Sequence, residues 1–335
     1  MLAPYVRPPG ATRPAPAPPY PGPVTTTLDA TARDAAPAPV RTLAPEEWLP
    51  HEAAHAERAD ALTAVWRAAR DAGRTHAIED FLFTYYPTRV SHLRRWHPGP
   101  GLALRLPDDG GPAHGAADRR AWRWYTATAD GVTLDVAAFL ADRGDTVRYV
   151  HGLLAATASR PGTFGCFGLH EWAMVYRDRA AGRDHRHPLP LRLGHDGTDA
   201  VVEENPVRCS HFDAYRFFTP EATGRNQLRP TRATQPDLEQ PACLHANMDL
   251  YKWCLKLGPA VPGDLLLDAF ELARDIRWTD MAASPYEVSG YGAEAVEIET
   301  PQGKAEYVRR QRAFAARAAG LRERLLAACT ALLTS

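Results

Sequence analysis

Apolar positions recur at helical spacing through most of the second half of the chain. From Asp264 to Arg277, residues Leu265, Leu266, Ala269, Phe270, Ala273 and Ile276 share one face, the pattern of an amphipathic helix packed on a core. Leu244 to Leu257 reads as a second helix, stopped at Gly258. A third starts at Thr300-Pro301 and runs to about Leu333, with Val308, Phe314, Ala318, Leu321, Leu325, Ala328 and Leu332 toward the protein and Gly320 as a candidate break. Further upstream, Pro45 followed by Glu46 and Glu47 is a helix start. Trp48, His51, His55, Leu62, Val65 and Trp66 continue that helix toward Gly73. Ile78 to Tyr86 predicts another helix, ended by Pro87. Strand signals are sparse. Pro190 to Leu193 and Asp199 to Glu203 are the two expected strands, the second preceded by the turn residues Asp196-Gly197. Asp108-Asp109-Gly110-Gly111 predicts a turn, and residues 223 to 241, with Pro230, Pro236 and Pro241, a long ordered loop. The fold class expected is therefore α+β, predominantly helical, with a few short strands.

Residues 1 to 43 are rich in Pro, Ala and Thr. Proline fixes φ and removes backbone donors, so this arm is expected to be disordered, with one catalytic domain over 44–335. The net charge of −1 argues against broad phosphate binding, which needs many cations. Five widely spaced cysteines without a CxxC pair predict free thiols and exclude a zinc ribbon. No apolar run is long enough to span a bilayer and no secretory signal is visible, so the expected location is cytoplasmic, with no membrane partner.

Four polar clusters interrupt apolar surroundings: Leu169-His170-Glu171-Trp172, Ser210-His211-Phe212-Asp213-Ala214-Tyr215, Leu244-His245-Ala246-Asn247-Met248-Asp249 and Ala283-Ser284-Pro285-Tyr286. His245 and Asp249 are four apart and share a helical face, so the carboxylate either orients the imidazole or joins it on a metal. His170, His211 and His245 are the candidate ligands for a transition metal, iron or zinc, with Glu171 as a further donor. His211-x-Asp213 with His245 has the residue types of a two-histidine, one-carboxylate iron site, although too few strands are visible for the β-barrel oxygenases that use that pattern. Met174 stands where a zinc-protease HExxH helix needs its second histidine. Glu171, beside Trp172, is the first candidate for acid/base work, because desolvation raises a carboxylate's proton affinity. The competing reading is a buried ion pair with Arg177, Arg192 or Arg208. Asp264, Asp268, Glu271 and Asp275 form a carboxylate stripe opposite the apolar face of their helix and read as a solvated face. Arg225, Arg229 and Arg232 in the long loop are candidate contacts to an anionic group. Gly162 to Gly168 holds three glycines but no phosphate-loop signature, and no GxSxG elbow occurs.

The run Phe164-Gly165-Cys166-Phe167-Gly168-Leu169-His170-Glu171-Trp172-Ala173-Met174-Val175-Tyr176-Arg177 resembles a family of actinobacterial proteins labelled 3-methyladenine DNA glycosylase. Residues 79–86, 208–214, 245–253 and 299–308 extend the resemblance, which covers about residue 44 to the end. It implies an enzyme that flips an alkylated purine from DNA and cleaves its N-glycosidic bond. On that reading Glu171, Asp213 and Asp249 are the catalytic carboxylates. Trp172, Tyr215, Trp253 and Tyr286 would stack the base, with Asn247 and Arg232 as further substrate contacts. The chain has no helix-hairpin-helix signature and no strongly basic tract, so that glycosylase fold is not expected. The alternative from the residues alone is a non-heme metal-dependent oxidoreductase acting on a small molecule through His170, His211 and His245. A third is a ligand-binding or scaffold protein in which these clusters are buried networks.

Overall fold

The computed structural model describes residues 40–106, 119–129, 131–182, 187 and 189–334. Most of the predicted N-terminal arm and the turn at 108–111 lie outside the described residues. Among the described residues, seven helices of eight residues or more build the body: α1 Pro45–Leu62, α2 Ala64–Asp71, α3 Val136–Ala158, α4 Gly194–Glu204, α5 Leu244–Leu257, α6 Gly263–Ala282 and α7 Pro301–Leu333. Short helical turns at Phe81–Thr84, Val90–Leu93, Leu169–Ala173, Phe212–Tyr215, Pro220–Thr223 and Gln235–Leu238 connect them. A four-stranded sheet completes an α+β, predominantly helical fold. Its strands are β1 Arg41–Leu43, β2 Leu102–Arg105, β3 Tyr125–Ala127 and β4 Gly131–Leu134, in the order β1-β2-β4-β3. β1 runs parallel to β2, and the other pairings are antiparallel. Ordered structure thus begins inside the segment predicted to be an arm.

Local chemistry explains the helix starts. Glu47 accepts the Ala44 N–H at 2.7 Å, closing the first turn of α1. Asp135 accepts the Ala138 N–H at 2.8 Å at the head of α3. The helix predicted from Pro45 to Gly73 is divided at Thr63, whose hydroxyl donates to the Ala59 carbonyl and leaves the α region. The helix expected over Ile78 to Tyr86 is confined to Phe81–Thr84. Asp80 uses its carboxylate to bind the Trp66 indole and the His76 N–H, which holds the preceding residues in a turn.

The strand expected at Asp199 to Glu203 is instead part of α4. Thr198, Val201 and Val202 are its buried residues, spaced for a helix and not for a half-buried strand. Pro190 to Leu193 contributes only the bridge of Leu191 to Tyr286. The expected loop at 223–241 holds a helical turn, Gln235–Leu238, and a bridge of Asn226 to Val207.

α5 packs on α6, and α7 lies across α3, α5 and α6. Their contacts form the main core, including Leu250, Trp253 and Leu257 from α5, Leu265, Phe270 and Ile276 from α6, and Phe314, Leu325 and Leu332 from α7. The inward stripe of α7 is Tyr307, Gln311, Phe314, Ala318, Arg322, Leu325, Cys329 and Leu332, spaced by three and four, and the helix runs through Gly320 unbroken. Sheet and α1 make a second cluster around Trp48, Leu104 and Val132. There the fully buried Arg119 pairs with Glu52 at 2.7 Å and lies over the Trp48, Trp96 and Trp122 rings. The carboxylate stripe of α6 is met by arginines of α1 and α7: Arg58 on Asp268 and Glu271, Arg317 on Asp275, and Arg324 on Asp264 and Asp268. All five cysteines are free. Among the described residues no helix is long and apolar enough to cross a membrane.

Candidate metal centre

A sharp turn aims the first polar cluster inward. Phe167 (φ +48°) and Gly168 (φ +73°) are both left-handed, and they start the helical turn Leu169–Ala173. A Cβ at Gly168 would stand 3.3 Å from the Tyr307 ring and 3.5 Å from Ala283, so glycine serves both conformation and space. His170 and Glu171 are buried on this turn. The Trp172 indole donates to the Ala283 carbonyl at 2.8 Å, tying the turn to the end of α6. That end carries Arg277 and Asp280. His170 Nε2 lies 3.1 Å from Asp280 Oδ1, while Arg277 Nη1 donates to Glu171 at 3.0 Å and stands 3.6 Å from Asp280. The buried ion pair of Glu171 is therefore with Arg277. Arg177 and Arg192 pair elsewhere, with Glu203 and Glu299.

The first turn of α5 supplies His245 and, four residues on, Asp249. The His245 ring meets His170 edge-on at 4.4 Å between centroids, and meets His211 at 5.4 Å. His211 Nε2 is 3.3 Å from Glu239 Oε1 and 3.4 Å from Asp249 Oδ2. The three histidines expected to converge do so, and two carboxylates that the sequence reading did not select join them. They sort into two triads, His170–His245–Asp280 and His211–Glu239–Asp249, with donor atoms within 4.8 Å of one another in each. Asp280 follows Ile276 by four residues and so lies on the apolar face of α6. A charge on that face is the signal that would have found it, had the helix not been read as ending at Arg277. Glu239 lies between two prolines in the long connection and carries no periodic signal.

Charge is tightly compensated around these groups. Lys252 Nζ donates to Asp249 at 2.6 Å and Asp213 at 2.9 Å, and Asp213 also meets Arg216 and Arg232. Tyr86 donates to Asp249 at 3.3 Å. Burial opposes ionisation of Asp249, but Lys252 and His211 hold its carboxyl well below the usual range. Burial likewise opposes a charge on Asp280, and the facing His170 overrides it, so Asp280 is held low and His170 well above an ordinary imidazole. Burial opposes a charge on His211, but the facing carboxylates of Asp249 and Glu239 outweigh it and push the imidazole up to about 9. His245 goes the other way, to about 3, through burial and the neighbouring charge of His170. A neutral imidazole between carboxylate-held neighbours is a ready nitrogen donor for a cation.

A cavity of about 470 Å³ opens onto this centre. Phe81, Tyr85, Phe217 and Tyr291 wall it, with Glu171, Asp213, Arg277 and His245 at its polar surfaces. Of the three histidines, His245 alone lines it. The aromatic residues expected to stack a base are placed differently. Trp172, Trp253 and Tyr286 are buried in the packing, and Tyr215 lies against Phe218. Asn247 is fixed between the Pro241 carbonyl and Arg322, and Arg232 reaches Asp213 from an exposed position. None of these six lines the cavity. Behind the histidines, Cys166, Cys209 and Cys243 line a void of about 20 Å³ with His170 and His245, and Cys166 Sγ is 3.7 Å from His170 Nδ1. Compared with protein-family models, curated proteins and solved structures, the chain gives no match.

Proposed function

We propose that this chain is a metal-dependent oxidoreductase acting on a small organic molecule, with its metal held by His170, His245 and Asp280. The observation that carries this reading is the meeting of two imidazoles and one carboxylate beside an aromatic-walled cavity, which His245 lines. Two histidines and a carboxylate leave open coordination positions, and a ferrous ion in such a set supplies dioxygen chemistry when bound. Asp280 Oδ1 is buried without an aligned hydrogen bond, as an oxygen reserved for a cation would be. The remaining residues bind and shield. Phe81, Tyr85, Phe217 and Tyr291 exclude water and receive an apolar or aromatic substrate. Glu171, held by Arg277, and Asp213, held by Lys252, place two acceptors on the cavity surface for the substrate's polar groups. Anaerobic protein loaded with iron(II) and exposed to nitric oxide tests the reading. An S = 3/2 iron–nitrosyl resonance, lost in His245→Ala and Asp280→Asn at unchanged circular dichroism, is expected. Wild-type protein without that resonance would overturn it.

A second reading, N-glycosidic hydrolysis of an alkylated purine, follows the family resemblance. It is favoured by one placement: Glu171 and Asp213, the carboxylates expected to activate water, line the same aromatic cavity. Release of 3-methyladenine from alkylated DNA, abolished in Glu171→Gln, would support it. No release by the wild type would remove it.

A further inference from the structure

We infer that His211, Glu239 and Asp249 hold a second metal ion, so that the centre carries a pair. This rests on the metal-dependent reading of the neighbouring triad. His211, Glu239 and Asp249 are 1%, 2% and 1% exposed, and their donor atoms already converge within 4.8 Å. Neither ring nitrogen of His211 has an aligned hydrogen-bond partner, although the carboxylate oxygens stand only 3.3 and 3.4 Å from Nε2. Buried polar atoms are almost always paired, and an imidazole facing two carboxylates out of alignment is accounted for by a cation between them.

The outer contacts orient the donors as a metal site needs. Gln235 donates to Glu239 Oε1 at 2.5 Å and itself accepts from the Tyr149 hydroxyl at 3.2 Å. Tyr86 fixes the other oxygen of Asp249. Lys252 bridges Asp249 and Asp213, so an ion that takes Asp249 leaves the ammonium its contact with Asp213. The two sites are neighbours by construction, because His245 and Asp249 are one helical turn apart on α5. Residues at that spacing have Cβ atoms about 5–6 Å apart, so the two sites adjoin. One imidazole with two carboxylates favours a first-row divalent ion such as iron(II), manganese(II) or zinc.

Full-length protein stripped with a chelator and titrated with cobalt(II), followed by its visible absorption and by elemental analysis after dialysis, tests the pair. Two equivalents per chain are expected in the wild type, one in His211→Asn, one in Asp280→Asn. Glu239→Gln, also expected to bind one, serves if His211→Asn does not fold. A single wild-type equivalent, lost in Asp280→Asn and kept in Glu239→Gln, would overturn the second site while leaving the first. A single equivalent lost in Glu239→Gln alone would overturn both the pair and the assignment to His170, His245 and Asp280. Absence of binding would sink both.

Discussion

Replacing Arg277 with methionine removes the one cation shared by Glu171 and Asp280. The Glu171 contact at 3.0 Å is worth about 5 kcal/mol of direct attraction at an effective dielectric near 20. The Asp280 contact at 3.6 Å adds a comparable amount. Desolvation of the three groups offsets most of this, but that cost is not recovered when only the cation leaves. Side-chain exposures of 2% for Arg277, 7% for Glu171 and 0% for Asp280 put the trio in the regime where deleting one partner costs about 3–5 kcal/mol. In a chain of this size that lowers Tm by roughly 5–8 °C. Urea denaturation of chelator-treated protein at pH 7, followed by circular dichroism, reads the loss. In the double variant Glu171→Gln/Arg277→Met the unpaired carboxylate is gone, so about 1 kcal/mol or more returns relative to Arg277→Met alone. A loss below about 1 kcal/mol in Arg277→Met, with no recovery in the double variant, would mean that water reaches the trio and that the cavity floor is not enclosed.

Two further perturbations probe the frame around the centre. His97 bonds the Tyr125 hydroxyl at 2.8 Å and is held down to about 3 by burial and by the nearby cation Arg119. Its folded value lies below the unfolded one near 6.5, so the unfolded chain takes up the proton first. Its share of stability is present above pH 6.5 and is lost as pH falls toward 3. Between pH 7 and pH 5 the wild type should lose about 1–2 kcal/mol more than His97→Gln in chemical denaturation, and equal losses would refute the assignment. Gly168→Ala places a methyl in the left-handed region against Tyr307 and Ala283, which should cost about 1–2 kcal/mol in the same assay. An unchanged midpoint would show that the turn before His170 tolerates a side chain.

What could be read from the sequence was what repeats or what interrupts. The three C-terminal helices follow from spacing by three and four, and the histidines at 170, 211 and 245 were visible as polar islands in apolar surroundings. Their convergence is set by tertiary packing, which the turn at Phe167-Gly168 and the α5–α6 contact determine. The sheet escaped because its strands are three or four residues long, below the length at which alternation shows. The turn residues Asp196-Gly197 predict a strand over Asp199 to Glu203, whereas burial at Thr198, Val201 and Val202 decides for the helix. The glycosylase resemblance assigns Trp172 to stacking, a role its placement does not serve. On one short helical turn adjacent residues point in different directions, and its indole enters the core while Glu171 meets the cavity.

The most direct test of the central claim, that the imidazoles and carboxylates at 170, 245 and 280 form a metal centre, is elemental analysis of protein purified without added metal or chelator. At least one equivalent of a first-row transition metal per chain, lowered by one equivalent in His170→Ala and in Asp280→Asn at preserved circular dichroism, is the predicted result. Wild-type protein free of transition metal, or variants that retain the wild-type content, would contradict it.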